Sequence, residues 1–354
     1  MDGMQVFNGA MSKNLIENAK FLLGRANYLK THAMIARKLK KQEKIRVEIL
    51  KNDHITVPPI LIISVTNDCN LICKGCYACA QHRVKEDEMT IDDIDRIVKE
   101  GIDLGVSIVL IAGGEPLVKE NILNIPKKYK DTLFVMFTNG LLIDDHMRNE
   151  IKNIKNLIPI LSLEGDEKAT DERRGDGVYK NVIGVMENLD TDKIIFGTSI
   201  TLTRENYNLI TRPEYLMGLK KIGCRIVFLI EYVPSNGEMD LCLTKKQKKD
   251  LIGQIKHIQK EYSIFAIALP GDQAQFGGCL AAARGFVHIS STGNIEACPF
   301  TPISDSNLKE KSLKDALQSK LLKAIRENKH LLEEAQGGCV LYENQQWVEG
   351  LISS

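Results

Sequence analysis

Three thiols are spaced for shared chemistry: Cys69, Cys73 and Cys76 read CxxxCxxC, with Tyr77 directly after the last. Thiolates so spaced can converge on one inorganic centre. A four-iron cluster held by only three of them keeps one iron open to a non-protein ligand, which suggests that the centre binds something reactive. The competing chemistry is zinc. Three-Cys zinc sites usually add a close His or Cys, and His82 and Cys79 are available. The spacing favours iron.

A loop of this kind needs a rigid mount. The run Ile60 to Val65 is short, rich in Ile and Val, and bounded upstream by Pro58 and Pro59, which predicts a buried strand with the cysteines in the loop at its C-terminal end. Further strands are expected at Ser107 to Ala112, Leu133 to Thr138, Ile158 to Leu163, Ile194 to Thr201 and Arg225 to Tyr232. Helical stretches lie between them at Thr90 to Leu104, Asp144 to Asn153, Val178 to Leu189 and Glu205 to Ile222. Alternating strands and helices imply an α/β fold with a parallel sheet, where chemistry sits at the C-terminal strand ends.

Those ends carry further signals. The second strand runs into Gly113-Gly114-Glu115-Pro116, the third into Thr138-Asn139-Gly140, and the fourth through Ser162 and Glu164 to Arg173-Arg174-Gly175. With CxxxCxxC and the following aromatic, this set resembles the radical S-adenosylmethionine (radical SAM) superfamily. The resemblance implies a partial (β/α)6 TIM-like barrel and an open iron chelated by the amino and carboxylate groups of SAM. It implies that the GGEP backbone meets the SAM amino group, and that Tyr77, Asn139, Ser162, Glu164 and Ser199 belong to the same cofactor-binding set. Arg173 or Arg174 would give a planar donor fork to a carboxylate. Glu164 stands where Asp is commoner, and Thr170 where His is frequent. Thr201 and Glu231 are further candidates for lining residues. The chemistry implied is reductive cleavage of SAM to a 5′-deoxyadenosyl radical, which takes a hydrogen atom from a substrate.

A second cysteine set follows the barrel. Cys279, Gly293 and Cys298 read C-x13-G-x4-C around an expected hairpin, Phe286 to Ile289 then Thr292-Gly293-Asn294, with Cys339 after Gly337-Gly338 as a third ligand. This resembles the SPASM and Twitch modules that hold an auxiliary iron-sulfur cluster, and the absence of a further Cys-rich run favours Twitch. Cys242 could supply a fourth ligand, and a zinc knuckle is the alternative for the set. The expected division is a helical extension over 1–57, the partial barrel over 58–240 and a small α+β module over 241–354. The auxiliary cluster would accept an electron or anchor the substrate.

Composition bounds the rest. A net charge of +1 with 26% charged residues singles out no nucleic-acid partner. Nine cysteines without a signal peptide or membrane span point to metal or redox work in a cytoplasmic, anaerobic or strongly reducing setting, not to disulfides. From Lys13 to Leu50 the chain reads as helix with a basic cluster, Lys30, Arg37, Lys38, Lys40, Lys41, Lys44 and Arg46. The two readings of it are a solvated face, or an arm for an anionic substrate, a partner or a membrane surface. The short extension shifts weight to a small-molecule substrate. Peptide or protein side-chain modification is the runner-up, and a non-catalytic SAM-binding partner protein the reading from another class. A reductant such as flavodoxin or ferredoxin is implied.

Overall fold

The computed structural model describes residues 29–81, 86–235, 237–269, 278–332 and 339–352. The predicted helix upstream of Leu29, together with His82, Asn236, Gly277, Gly337 and Gly338, lies outside them.

Nine strands form one sheet: β1 (Ile60–Ser64), β2 (Ile108–Ala112), β3 (Leu133–Thr138), β4 (Leu157–Leu163), β5 (Gly197–Leu202), β6 (Ile226–Glu231), β7 (Phe265–Leu269), β8 (Phe286–Ile289) and β9 (Ile295–Glu296). Their order is β7-β6-β5-β4-β3-β2-β1-β8-β9. All pairs are parallel except β8 with β9, and β1 pairs with β2 from Ile60 opposite Ile108 to Ser64 opposite Ala112. The two edge strands do not close on each other, so the sheet curls into a half-barrel, the partial TIM-like architecture that the alternating pattern implies.

Most of the parallel strands, β1 to β4 and β6 among them, are largely apolar on both faces, as a parallel sheet covered by helices requires. In β1, Leu61 and Ile63 face the outer helices, while Ile60 and Ile62 join Ile108, Leu110, Val135 and Phe228 on the concave side. The outer layer is built from amphipathic helices. That at Ile91–Asp103 starts in a capping box between Thr90 and Asp93 and buries Ile94, Ile97 and Val98. Each such side chain contributes roughly 1.5–3 kcal/mol of burial.

Three local expectations change. The helix predicted over Glu205 to Ile222 is two, Tyr207–Ile210 and Pro213–Lys221, because Pro213 cannot continue a helix and opens a new one at its first position. A seventh parallel strand, β7, continues the sheet beyond residue 240 and pairs with β6 from Ile226 opposite Phe265. Its signal was present: a short apolar run after the helix Lys245–His257, bounded by Ser263 and Pro270. The hairpin strand β8 pairs with β1, so the second cysteine set hangs from the same sheet as the first.

The helix Leu29–Asp53 docks below the N-terminal ends of the strands. Leu39 joins the concave core, and Gln42 donates to the carbonyls of Ile102 (2.7 Å) and Val106 (3.1 Å). Arg46, expected on the basic face, is buried and bonds to the Gly105 carbonyl and to Ser107 Oγ (2.8 Å). Burial lowers its pKa to about 10. Arg37, Lys40, Lys41 and Lys44 face solvent.

Candidate active site

The loop after β1 is held by its neighbours before it reaches the cysteines. Asn67 N donates to Glu88 Oε1 at 2.6 Å, Gly114 N to the Thr66 carbonyl at 2.7 Å and Glu115 N to the Asp68 carbonyl at 2.8 Å. The two strand-end loops are therefore zipped together backbone to backbone. Only glycine permits it: a Cβ on Gly113, whose φ is +135°, would lie 2.3 Å from Thr66 O, and one on Gly114 would lie 2.1 Å from Asp68 O.

Glu115 is fully buried, and its carboxylate accepts Thr138 Oγ1 (2.8 Å), Asn139 N (2.7 Å) and Leu117 N (3.1 Å). It ties the second strand end to the third. Burial raises its pKa against the opposing effect of those donors. Pro116 starts the short helix Pro116–Val118 and is buried with it. Asn139 is positioned to serve the first cysteine loop, with Nδ2 2.7 Å from Asn70 Oδ1 and 3.9 Å from Cys69 Sγ. Asn70 and Glu88 were not singled out from sequence, since neither is a fixed position of a recognisable pattern.

The fourth strand end supplies a charge cluster. Glu164 Oε1 accepts Arg173 Nη1 (2.6 Å), Arg174 Nε (2.9 Å) and Arg174 Nη2 (2.5 Å), and its Oε2 accepts Thr201 N (3.2 Å). Neither arginine is spent on a surface ion pair. Arg173 Nε also donates to the Lys74 carbonyl (3.0 Å), and Arg174 Nη1 lies 4.0 Å from Cys73 Sγ. Burial pulls the Arg174 pKa down, but Glu164 and Cys73 raise it, and the net shift is upward. Burial pushes the Cys73 thiol up, with Arg174 opposing. Ser162 and Ser199 meet across the β4–β5 pair, Oγ to Oγ 3.3 Å. Glu231, considered as a lining residue, instead sits buried 3.4 Å from Lys248.

Cys279, Cys298 and Cys339 are buried. The Cys298 and Cys339 thiols interact, which raises the pKa of Cys298 and lowers that of Cys339. Burial pushes Cys279 up to about 12. The second set touches the first through Tyr77, whose ring meets Phe300 edge-on at 5.1 Å, and through Gln81, which donates to the Pro299 carbonyl at 3.1 Å.

One cavity of about 730 Å³ is lined by both sets. Cys69, Cys73, Cys76, Cys279, Cys298 and Cys339 all reach it, as does Cys79. Cys224 and Cys242 do not. Tyr77, Gly113, Gly114, Asn139, Ser162, Ser199, Arg173 and Arg174 line it too, whereas Glu115, Pro116 and Glu164 stand behind as supports. Among the described residues that line it there is no His, Asp or Glu, and the thiolates are soft donors suited to iron-sulfur chemistry. Among the described residues no three His, Cys, Asp or Glu side chains are placed to hold a single metal ion. The residues present therefore fit clusters.

Residues 63–212, from the end of β1 to the residue before the helix Pro213–Lys221, match the model of the radical SAM superfamily. The chain carries a radical SAM domain over those residues. It is a radical SAM enzyme, and the cofactors of its chemistry are SAM and a four-iron cluster. It is 23% identical over 314 residues to the AdoMet-dependent heme synthase of Methanosarcina barkeri, an alignment covering 81% of this chain and 88% of that one. It is 24% identical to a probable GTP 3′,8-cyclase of Methanocaldococcus jannaschii, over 67% of this chain and 84% of the cyclase. In fold it resembles SuiB of Streptococcus suis bound to S-adenosylmethionine, with a TM-score of 0.66 at 19% identity over 83% of this radical SAM chain and 73% of SuiB. SuiB has also been seen bound to the precursor peptide SuiA. No helix among the described residues is long and apolar enough to cross a membrane.

Proposed function

We propose that this chain applies radical SAM chemistry to a small-molecule substrate with a largely apolar body. The observation that carries it is the shared cavity: the two cysteine sets lie along a wall made of Ile62, Leu110, Val135, Phe228 and their neighbours on the concave face of the sheet. Such a wall excludes water from a reactive centre and offers a substrate little but aliphatic surface.

In this reading Cys69, Cys73 and Cys76 hold the SAM-binding cluster, and Cys279, Cys298 and Cys339 hold an auxiliary one. When bound, the reduced cluster and SAM supply one-electron cleavage of the sulfonium and with it a hydrogen-abstracting 5′-deoxyadenosyl radical. The protein does the positioning. The Gly113-Gly114 backbone leaves room for the amino group, Asn139, Ser162 and Ser199 offer donors and acceptors, and Arg173 and Arg174 offer cationic forks. Tyr77 and Phe300 form a shared aromatic wall between the two thiol sets. The residues from about 278 onward serve as a Twitch-like module, preceded by the barrel from 58 and the helical extension over 1–57. The setting is cytoplasmic, with electrons from a flavodoxin- or ferredoxin-type donor.

The substrate follows from the wall. The Methanosarcina relative is named for heme synthesis, and an apolar macrocycle bearing carboxylates fits an aliphatic cavity. A triphosphate fits less well: among the described residues the lining cations are Arg173, Arg174 and Lys256, and Glu164 already neutralises part of the first two. Peptides remain the competing class.

Anaerobic reconstitution with iron and sulfide, then SAM and dithionite, tests the reading. Cys69→Ala, Cys73→Ala and Cys76→Ala should each abolish 5′-deoxyadenosine; continued production by any of them overturns it. Added carboxylated macrocycles should accelerate SAM cleavage more than GTP or a peptide panel, and the reverse ranking replaces the substrate class.

A further inference from the structure

Arg174 is tied down in a way that SAM binding does not require. Its side chain is 13% exposed, and two of its donors are taken by Glu164 Oε1. That leaves Nη1 directed at Cys73 Sγ, 4.0 Å away. Arg173 grips the same loop differently: its side chain bonds to Glu164 and the Lys74 carbonyl, and its own carbonyl accepts Lys74 N at 2.8 Å. The C-terminal end of the helix Glu167–Arg174 is thus clamped to the loop between Cys73 and Cys76.

We propose that Arg174 is a positioning residue whose charge sets the reduction potential of the centre at Cys69, Cys73 and Cys76, with Glu164 as its counter-charge. This rests on the reading that those three thiols hold a cluster. Taking up one electron adds one negative charge and breaks no bond, so a nearby cation favours the reduced form and a nearby anion the oxidised form. At an effective dielectric constant of about 20, one unit charge within about 12 Å of the added electron changes the equilibrium at least tenfold. Arg174 touches a ligating sulfur and lies well inside that range. The Glu164–Arg173–Arg174 group carries net +1; without Arg174 it carries 0, and without the Glu164 charge +2. The two removals must therefore act in opposite directions. If both residues merely held the loop, losing either would loosen it in the same sense.

The test is a potentiometric titration followed by electron paramagnetic resonance, on the reconstituted full chain without SAM. A Cys298→Ala background leaves one cluster to report. Arg174→Gln should make reduction at least about tenfold less favourable, about 59 mV lower for a one-electron couple. Glu164→Gln should shift it by a similar factor upward, and Arg174→Lys should stay within about threefold of the parent. Shifts of the same sign in Arg174→Gln and Glu164→Gln, or no shift in either with iron and sulfide retained, overturn the proposal. If Arg174→Gln loses its iron, Glu164→Gln decides alone: an upward shift supports the assignment and an unchanged potential refutes it. A parent chain that binds no iron at these thiols fails the underlying reading instead.

Discussion

Replacing His288 by leucine should loosen the seam from which both cysteine loops depart. His288 is fully buried on β8, with Nε2 2.8 Å from Ser64 Oγ on β1 and Nδ1 2.7 Å from Glu296 Oε2 on β9. Ser64 ends the strand that leads to Cys69, and Glu296 lies just before Cys298. The arrangement resembles a nucleophilic Ser-His-acid relay, but all three residues are buried and none lines the cavity, so its role is to join strands. Leucine nearly preserves the volume and removes both bonds. The cost is that of depriving two buried polar groups of this partner, about 1–3 kcal/mol each, or roughly 2–6 kcal/mol together. For a chain of 354 residues that corresponds to roughly 3–8 °C in melting temperature. Thermal scans of the anaerobically reconstituted protein measure it directly. Adding Ser64→Ala and Glu296→Leu to the leucine variant should recover most of the loss, because no buried polar group then lacks its partner. A leucine variant melting within about 1 °C of the parent, or a triple variant no more stable than the single one, refutes the reasoning.

Gly114→Ala places a Cβ 2.1 Å from the Asp68 carbonyl and must part the two strand-end loops, so SAM binding should weaken at least about tenfold in equilibrium dialysis. Glu115→Gln turns one acceptor into a donor facing Asn139 N or Thr138 Oγ1 and should cost about 2–3 kcal/mol by urea unfolding of the cluster-free chain. Because burial raises the Glu115 pKa, the stability its carboxyl contributes is full below the ordinary value of 4.5 and is lost as pH rises through the folded value. The advantage of the parent over Glu115→Gln should therefore shrink between about pH 4 and pH 7, and growth over that range contradicts the assignment. Cys279→Ala, Cys298→Ala and Cys339→Ala should each lower iron from about eight to about four per chain while 5′-deoxyadenosine formation persists; a parent chain with only four irons removes the auxiliary cluster.

Much of this protein is legible along the chain because its signals are local. Ile and Val runs alternating with amphipathic segments dictate a parallel sheet, since each strand must bury two faces and each helix one. CxxxCxxC and the glycine pair announce themselves because ligand spacing and backbone clearance are properties of a few adjacent residues. Other features exist only once distant segments meet. Glu115 and Glu164 read as cofactor-facing carboxylates, yet folding surrounds each with backbone and arginine donors and makes them supports. Cys242 reads as a spare ligand, but the path of the chain after β6 leaves it outside the cavity that the other thiols share. The seventh strand, the Ser64–His288–Glu296 link and the meeting of Tyr77 with Phe300 all depend on β8 pairing with β1 or on the sheet continuing past β6. Residue types and spacing determined what chemistry the chain carries. Tertiary structure decided which side chains face that chemistry and which hold them there, because hydrogen-bond partners far apart in sequence are chosen only by packing.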